Sequence, residues 1–100
     1  MPHKVHAAAV PSSAQTVVRA GVDASTLYTV PAGKTLVILA AWSATSTASV
    51  GVASEDNGVV AALVGGGPLS VSCEVRCKAT TTVVQAGAGE AGFSGYLENA

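Results

Sequence analysis

Across residues 69–79 the side chains alternate without a break. Val71, Cys73, Val75, Cys77 and Ala79 fall on one side, and Ser70, Ser72, Glu74, Arg76 and Lys78 on the other. A period of two belongs to a β-strand with one dry face and one wet face, and to no helix. The rest of the chain repeats the theme in shorter pieces. β-Branched and apolar segments at 16–19, 26–30, 35–43, 48–54, 59–64 and 93–97 are separated by turn-forming residues. Pro31-Ala32-Gly33-Lys34 supplies a proline for the first turn angle and a glycine for a positive φ. Asn57-Gly58 is a hairpin signal between 48–54 and 59–64, and the Gly65-Gly66-Gly67-Pro68 loop leads into the alternating strand. Residues 80–85 either continue that strand or form one of their own, and 86–92 reads as a small-residue loop.

Seven or eight short strands without an amphipathic helix predict an all-β fold, an antiparallel β-sandwich or jelly roll. One hundred residues make one domain. Residues 1–15, with prolines at 2 and 11 and no sustained periodicity, read as an extended N-terminal arm, which leaves 16–100 for the sandwich.

The core available to that sandwich is made of small residues. The chain holds nineteen Ala and sixteen Val against six Leu, one Ile, one Phe and one Trp. Burial at about 25 cal/mol per Å² makes an alanine-rich core weakly stabilising, so association is expected to supply further burial. The segment 36–42 points the same way, because both of its faces are apolar: Leu36, Ile38, Ala40 and Trp42 alternate with Val37, Leu39 and Ala41. One face can fill the core and the other must meet a neighbour. Val37, Leu39 and Trp42 are therefore candidates for a subunit interface.

Charge excludes several functions. Charged residues make up 11% of the chain and the net charge is −1. The five basic residues form no run, which argues against nucleic-acid binding. The apolar stretch after Lys4 is too short for a signal-peptide core, and 36–42 is too short to span a membrane. The expectation is a protein made in the cytoplasm with no membrane partner.

No catalytic set is apparent. The only histidines, His3 and His6, sit in the arm, so a Ser or Cys nucleophile in the folded region lacks the usual base. Nor do His3 and His6 have a Cys, Asp or Glu nearby to complete a metal site. Glu55 and Asp56 lie in a turn, and Glu74 alternates with Arg76 on a wet face, which leaves no acid–base pair. Gly33-Lys34-Thr35 looks like the end of a phosphate loop, but Tyr28 stands where its first glycine belongs and a strand follows instead of a helix. Cys73 and Cys77 share a strand face about 13 Å apart and read as buried free thiols, with an intersubunit disulfide as the alternative. Trp42, Tyr28 and Tyr96 suit half-buried positions. No enzyme activity, cofactor or metal is expected.

Two phrases are familiar. TLYTVPAGKTLV, at 26–37, resembles a strand-turn-strand segment recurrent in bacteriophage virion proteins, and FSGYL, at 93–97, is similar to the closing strand of trimeric jelly rolls of the tumour-necrosis-factor and complement-C1q type. Together they cover about one fifth of the chain. In those trimers the Phe-Ser-Gly-aromatic-Leu strand ends near the threefold axis, so the resemblance adds Phe93, Tyr96 and Leu97 to the interface candidates. It implies a homotrimeric virion protein of the capsid decoration, or cement, type, whose partners are itself and a major capsid protein. The arm would then be a capsid-facing element, with Pro2, His3, Lys4, Val5 and His6 in contact. The alternative is a tail-fibre or baseplate adhesin domain that binds a cell-surface glycan through Trp42 or Tyr96.

Overall fold

A computed structural model of the chain describes residues 14–54 and 58–99. They form eight strands: β1 (Gln15–Gly21), β2 (Ser25–Thr29), β3 (Lys34–Ser43), β4 (Ser49–Ser54), β5 (Gly58–Gly65), β6 (Leu69–Cys77), β7 (Thr82–Ala86) and β8 (Ala91–Asn99). These build two four-stranded antiparallel sheets, ordered β1-β8-β3-β6 and β2-β7-β4-β5.

The order has a simple origin. β4 and β5 pair as a hairpin, and around it β3 pairs with β6, β2 with β7 and β1 with β8. Except at that central hairpin, each strand crosses to the opposite sheet from its predecessor. A long hairpin wrapped in this way is an eight-stranded jelly roll. The residues expected to make the arm's contacts, Pro2, His3, Lys4, Val5 and His6, lie outside the described residues, as do Glu55 and Asp56. β1 is already formed at Gln15, opposite Leu97.

Residues 80–85 do not prolong the alternating strand. Thr80 takes a φ of 72°, Thr81 N–H bonds back to the Lys78 carbonyl, and the chain crosses to the second sheet, where β7 lies between β2 and β4. Val30 anchors this turn, donating to the Thr81 carbonyl and accepting from Thr80 N–H. The last strand also begins earlier than apolar pattern alone suggests, at Ala91, because backbone pairing to Ser43 and Gly21 extends it through Gly92.

Between the sheets, Val17, Leu36, Ile38, Phe93 and Leu97 pack against Val30, Val50, Val52, Val64 and Val83. Phe93 is fully buried, with the Tyr28 ring 6.2 Å away and tilted at 59°. Arg19 of β1 lies over the Tyr28 ring of β2, its Cζ 5.2 Å from the ring centroid.

Candidate association surface

Strict alternation along β3 would put Val37 and Trp42 on opposite faces. They share one. The register shifts between Ile38 and Ala40 against both neighbouring strands, and this bulge at Leu39 reverses the phase. Val37 lies opposite Arg76 and Tyr96, and Trp42 opposite Ser70 and Gly92, all on the outer face of the β1-β8-β3-β6 sheet. Leu39 itself is half-buried at the bulge. The two remaining interface candidates go elsewhere. Phe93 and Leu97 point inward and fill the subunit's own core, so they offer no surface to a partner.

The outer face has two zones. Toward the β1–β2 loop it is apolar and flat. Ala20 and Gly92 pair across β1 and β8, and the benzo ring of Trp42 occupies the space that a side chain at 92 would need: a Cβ there would stand 2.5 Å from Trp42 Cζ2. Glycine at 92 is what lets the indole lie down on the sheet. Val18 is 53% exposed on the same face, Val22 is 67% exposed in the adjoining loop, and Leu69 is 49% exposed at the start of β6. These are the exposed large hydrophobic residues among those described; Leu69, paired with the inward-facing Ser43, lies on the opposite face of the sheet from Val18 and Trp42. Sequence reading missed Val18 and Val22. The signal available was Gly92, a glycine inside a strand beside a tryptophan's partner position.

Toward the chain ends the face becomes charged around an apolar centre. Arg76 bonds Glu98 and, at 3.3 Å, Glu74. The Glu98 carboxylate, by its charge and its hydrogen bond, holds the guanidinium more firmly protonated than usual. All three side chains are well exposed, so the cluster contributes little to stability. Among them Val37 and Tyr96 are 0% and 6% exposed, although neither belongs to the core between the sheets.

The second sheet presents a different outer face. Thr26, Gly51, Ala62 and Val84 share one row, and Ala53 and Thr82 another, with no charged residue in any of its four strands. The sheet edges are blunted. Arg19 turns its guanidinium back onto the Val18 carbonyl on β1, β2 is five residues long and bulged, β5 shifts register twice against β4, and β6 carries Glu74 and Arg76. Bulges, charges and short length are the usual protections against edge-to-edge pairing.

The segment Gly33-Lys34-Thr35 is a β-turn entering a strand: Gly33 has a φ of 77°, Lys34 N–H bonds the Pro31 carbonyl, and Lys34 Nζ donates to Asn99 Oδ1 at 2.8 Å. Among the described residues no three His, Cys, Asp or Glu side chains gather as metal ligands. Cys73 and Cys77 are free thiols on the inner face of β6. Burial, and then the neighbouring Cys73, push the Cys77 thiol up to about 11, and burial raises Cys73 as well. Both thiols are therefore expected to react slowly with iodoacetamide at pH 8 in the native protein and quickly in denaturant, as mass spectrometry would show; fast native labelling of Cys77 would contradict this placement. The sign of the pH dependence follows. Below the ordinary value of 9.0 Cys77 is protonated in both states, whereas from there to about 11 only the unfolded chain ionises, so stability falls across that interval.

No protein-family model, curated protein or solved structure matches the chain.

Proposed function

We propose that this protein is a non-catalytic structural domain that associates with copies of itself and decorates a phage capsid as a trimer, clamping adjacent capsid subunits. The observation that carries the self-association is the exposed apolar surface at one end of the outer face of the β1-β8-β3-β6 sheet, where Val18 and Trp42 share that face and Val22 stands exposed in the adjoining loop. An exposed apolar patch of this kind marks an interface. The virion location and the trimer rest on the resemblance of residues 26–37 and 93–97. In this reading the residues of the arm, Pro2 to His6, meet the capsid, and many modest contacts held together by the shell raise the cost of separating its subunits.

Native mass spectrometry tests the association directly. The wild-type chain is expected to give trimers. Trp42→Glu and, independently, Val18→Glu are expected to weaken them by about 30-fold or more in dissociation constant, as for loss of a hot-spot residue worth about 2 kcal/mol. Both positions are on an outer face, so the fold should survive. A wild-type monomer at high concentration, or trimers indifferent to both substitutions, would refute this face. Co-sedimentation with capsids of the encoding phage tests the docking.

A glycan-binding adhesin domain is the second reading. It is favoured by the half-buried Trp42 lying on Gly92 with Ser70 opposite and Ser72 and Ser94 on the same face, since a flat aromatic beside hydroxyls suits a sugar ring. Glycan-array binding that is lost in Trp42→Ala, without capsid association, would select it.

A further inference from the structure

We infer that Arg19 anchors the association face and takes the carboxylates of Asp23 and Glu90 from a second copy of the chain. The starting point is a guanidinium held ready without an acid. Arg19 is exposed on β1, the edge strand that borders the apolar patch of Val18 and Trp42. Its Nη1 donates to the Val18 carbonyl oxygen at 2.9 Å, and its Cζ lies 5.2 Å from the centroid of the Tyr28 ring. The side chain is thus fixed at two points while its other N–H donors remain open. An arginine held in this way loses little conformational freedom when it takes a carboxylate, and its planar fork binds one through two parallel hydrogen bonds. No carboxylate among the described residues meets it, for the ion pairs among them both belong to Arg76.

The complement stands at another border of the same patch. Asp23 follows the exposed Val22 in the β1–β2 loop, and Glu90 closes the β7–β8 loop, which is tied to Val22 by the bond from Gly89 N–H to the Val22 carbonyl oxygen. Both acids are exposed, and neither forms an ion pair among the described residues. The loops at this end of the sandwich supply no base. Residues 22–24, 44–48, 65–68 and 86–90 contain no Lys or Arg, while Lys34, paired with Asn99, and Lys78, next to Cys77, lie at the opposite ends of their strands. The patch is therefore bounded by a positive charge along its strand edge and by negative charges across its loop end. Copies that met with like borders together would set Arg19 against Arg19 or carboxylate against carboxylate, which costs affinity in a partly desolvated contact. Unlike borders together satisfy both. Each contact of a closed ring joins two different surfaces, whereas a patch that meets only itself gives a twofold dimer, so the proposed trimer needs a contact of this kind.

This inference rests on the self-association reading and assigns its polar contacts, and one series of variants separates the two. Dissociation constants of the full-length chain are measured by sedimentation velocity at low and high salt, with thermal melts of dilute protein to check the fold. Arg19→Glu and, independently, Asp23→Lys/Glu90→Lys are expected to weaken association by about 10-fold or more, and the three substitutions together to return it to within about 3-fold of the wild type. High salt is expected to weaken the wild type as well. Arg19→Glu also removes the contact with Tyr28, so the exposed acid pair decides the matter where that variant fails to fold. Undiminished association of the Asp23→Lys/Glu90→Lys protein, or a folded triple variant as weak as its parents, would overturn the inference, and dissociation by Trp42→Glu in the same series would leave self-association standing. Charge variants that associate normally but no longer co-sediment with capsids would also overturn it, by giving these residues to the capsid protein. A wild-type monomer at high concentration would refute both readings.

Discussion

Phe93→Ala is expected to lower the unfolding free energy by about 3–5 kcal/mol, enough to leave the domain close to unfolded at 37 °C. Phe93 is the one phenylalanine of the chain and the largest of the fully buried side chains among the described residues. Its neighbours, Val17, Val30, Val50, Val83 and Ala91 among them, are small or β-branched, and stiff side chains of that kind relax poorly into a cavity. The loss of the tilted contact with Tyr28 adds to the cost. Urea unfolding would show the midpoint falling with little change in slope. A loss under about 1 kcal/mol would mean that the ring is not in the core, and would restore Phe93 as an interface residue.

Gly95→Ala should be nearly as damaging, for an opposite reason. Gly95 lies in β8 between Val17 of β1 and Ile38 of β3, directly beside the bulge. A Cβ there would stand 2.1 Å from the Val37 carbonyl oxygen and 3.0 Å from Ile38 Cα. Both are backbone atoms in the middle of a sheet, so no rotamer change relieves the overlap and the strands must part. We expect a loss of more than about 2 kcal/mol, whereas Gly65→Ala, whose Cβ would meet only the Ser49 side chain at 3.2 Å, should cost far less. Comparable thermal melts for the two variants would show that β3 and β8 are not so tightly apposed.

The two substitutions bracket what this core tolerates. It is built from small residues at close range, with one large ring that cannot be removed and one hydrogen side chain that cannot be enlarged. Such a core stabilises through fit more than through buried area, which is the condition in which further burial by association has the most effect.

Much of this fold is legible in the amino-acid sequence itself. Alternation in 69–79 marks β6 because a half-buried strand imposes a period of two on its own residues. Turn chemistry at Pro31-Ala32-Gly33 and the hairpin of β4 and β5 are equally local, and so is the absence of a histidine after position 6. Residues 36–42 show no wet face, so the apolar character of both faces of β3 is equally local.

What the chain alone could not determine is where those apolar residues point and which of them remain outside the core. Val37 and Trp42 share a face only because β3 bulges at Leu39, and a bulge is fixed by register against β6 and β8, strands more than twenty-five residues away. Phe93 and Leu97, placed at an interface by the familiar closing phrase, are consumed by the subunit's own core, because β8 sits centrally between β1 and β3 and turns them inward. Local sequence sets strand period and turn position through short-range sterics. The division of apolar side chains between the core and the outer face is a property of strand pairing at long range, and only the folded jelly roll decides it.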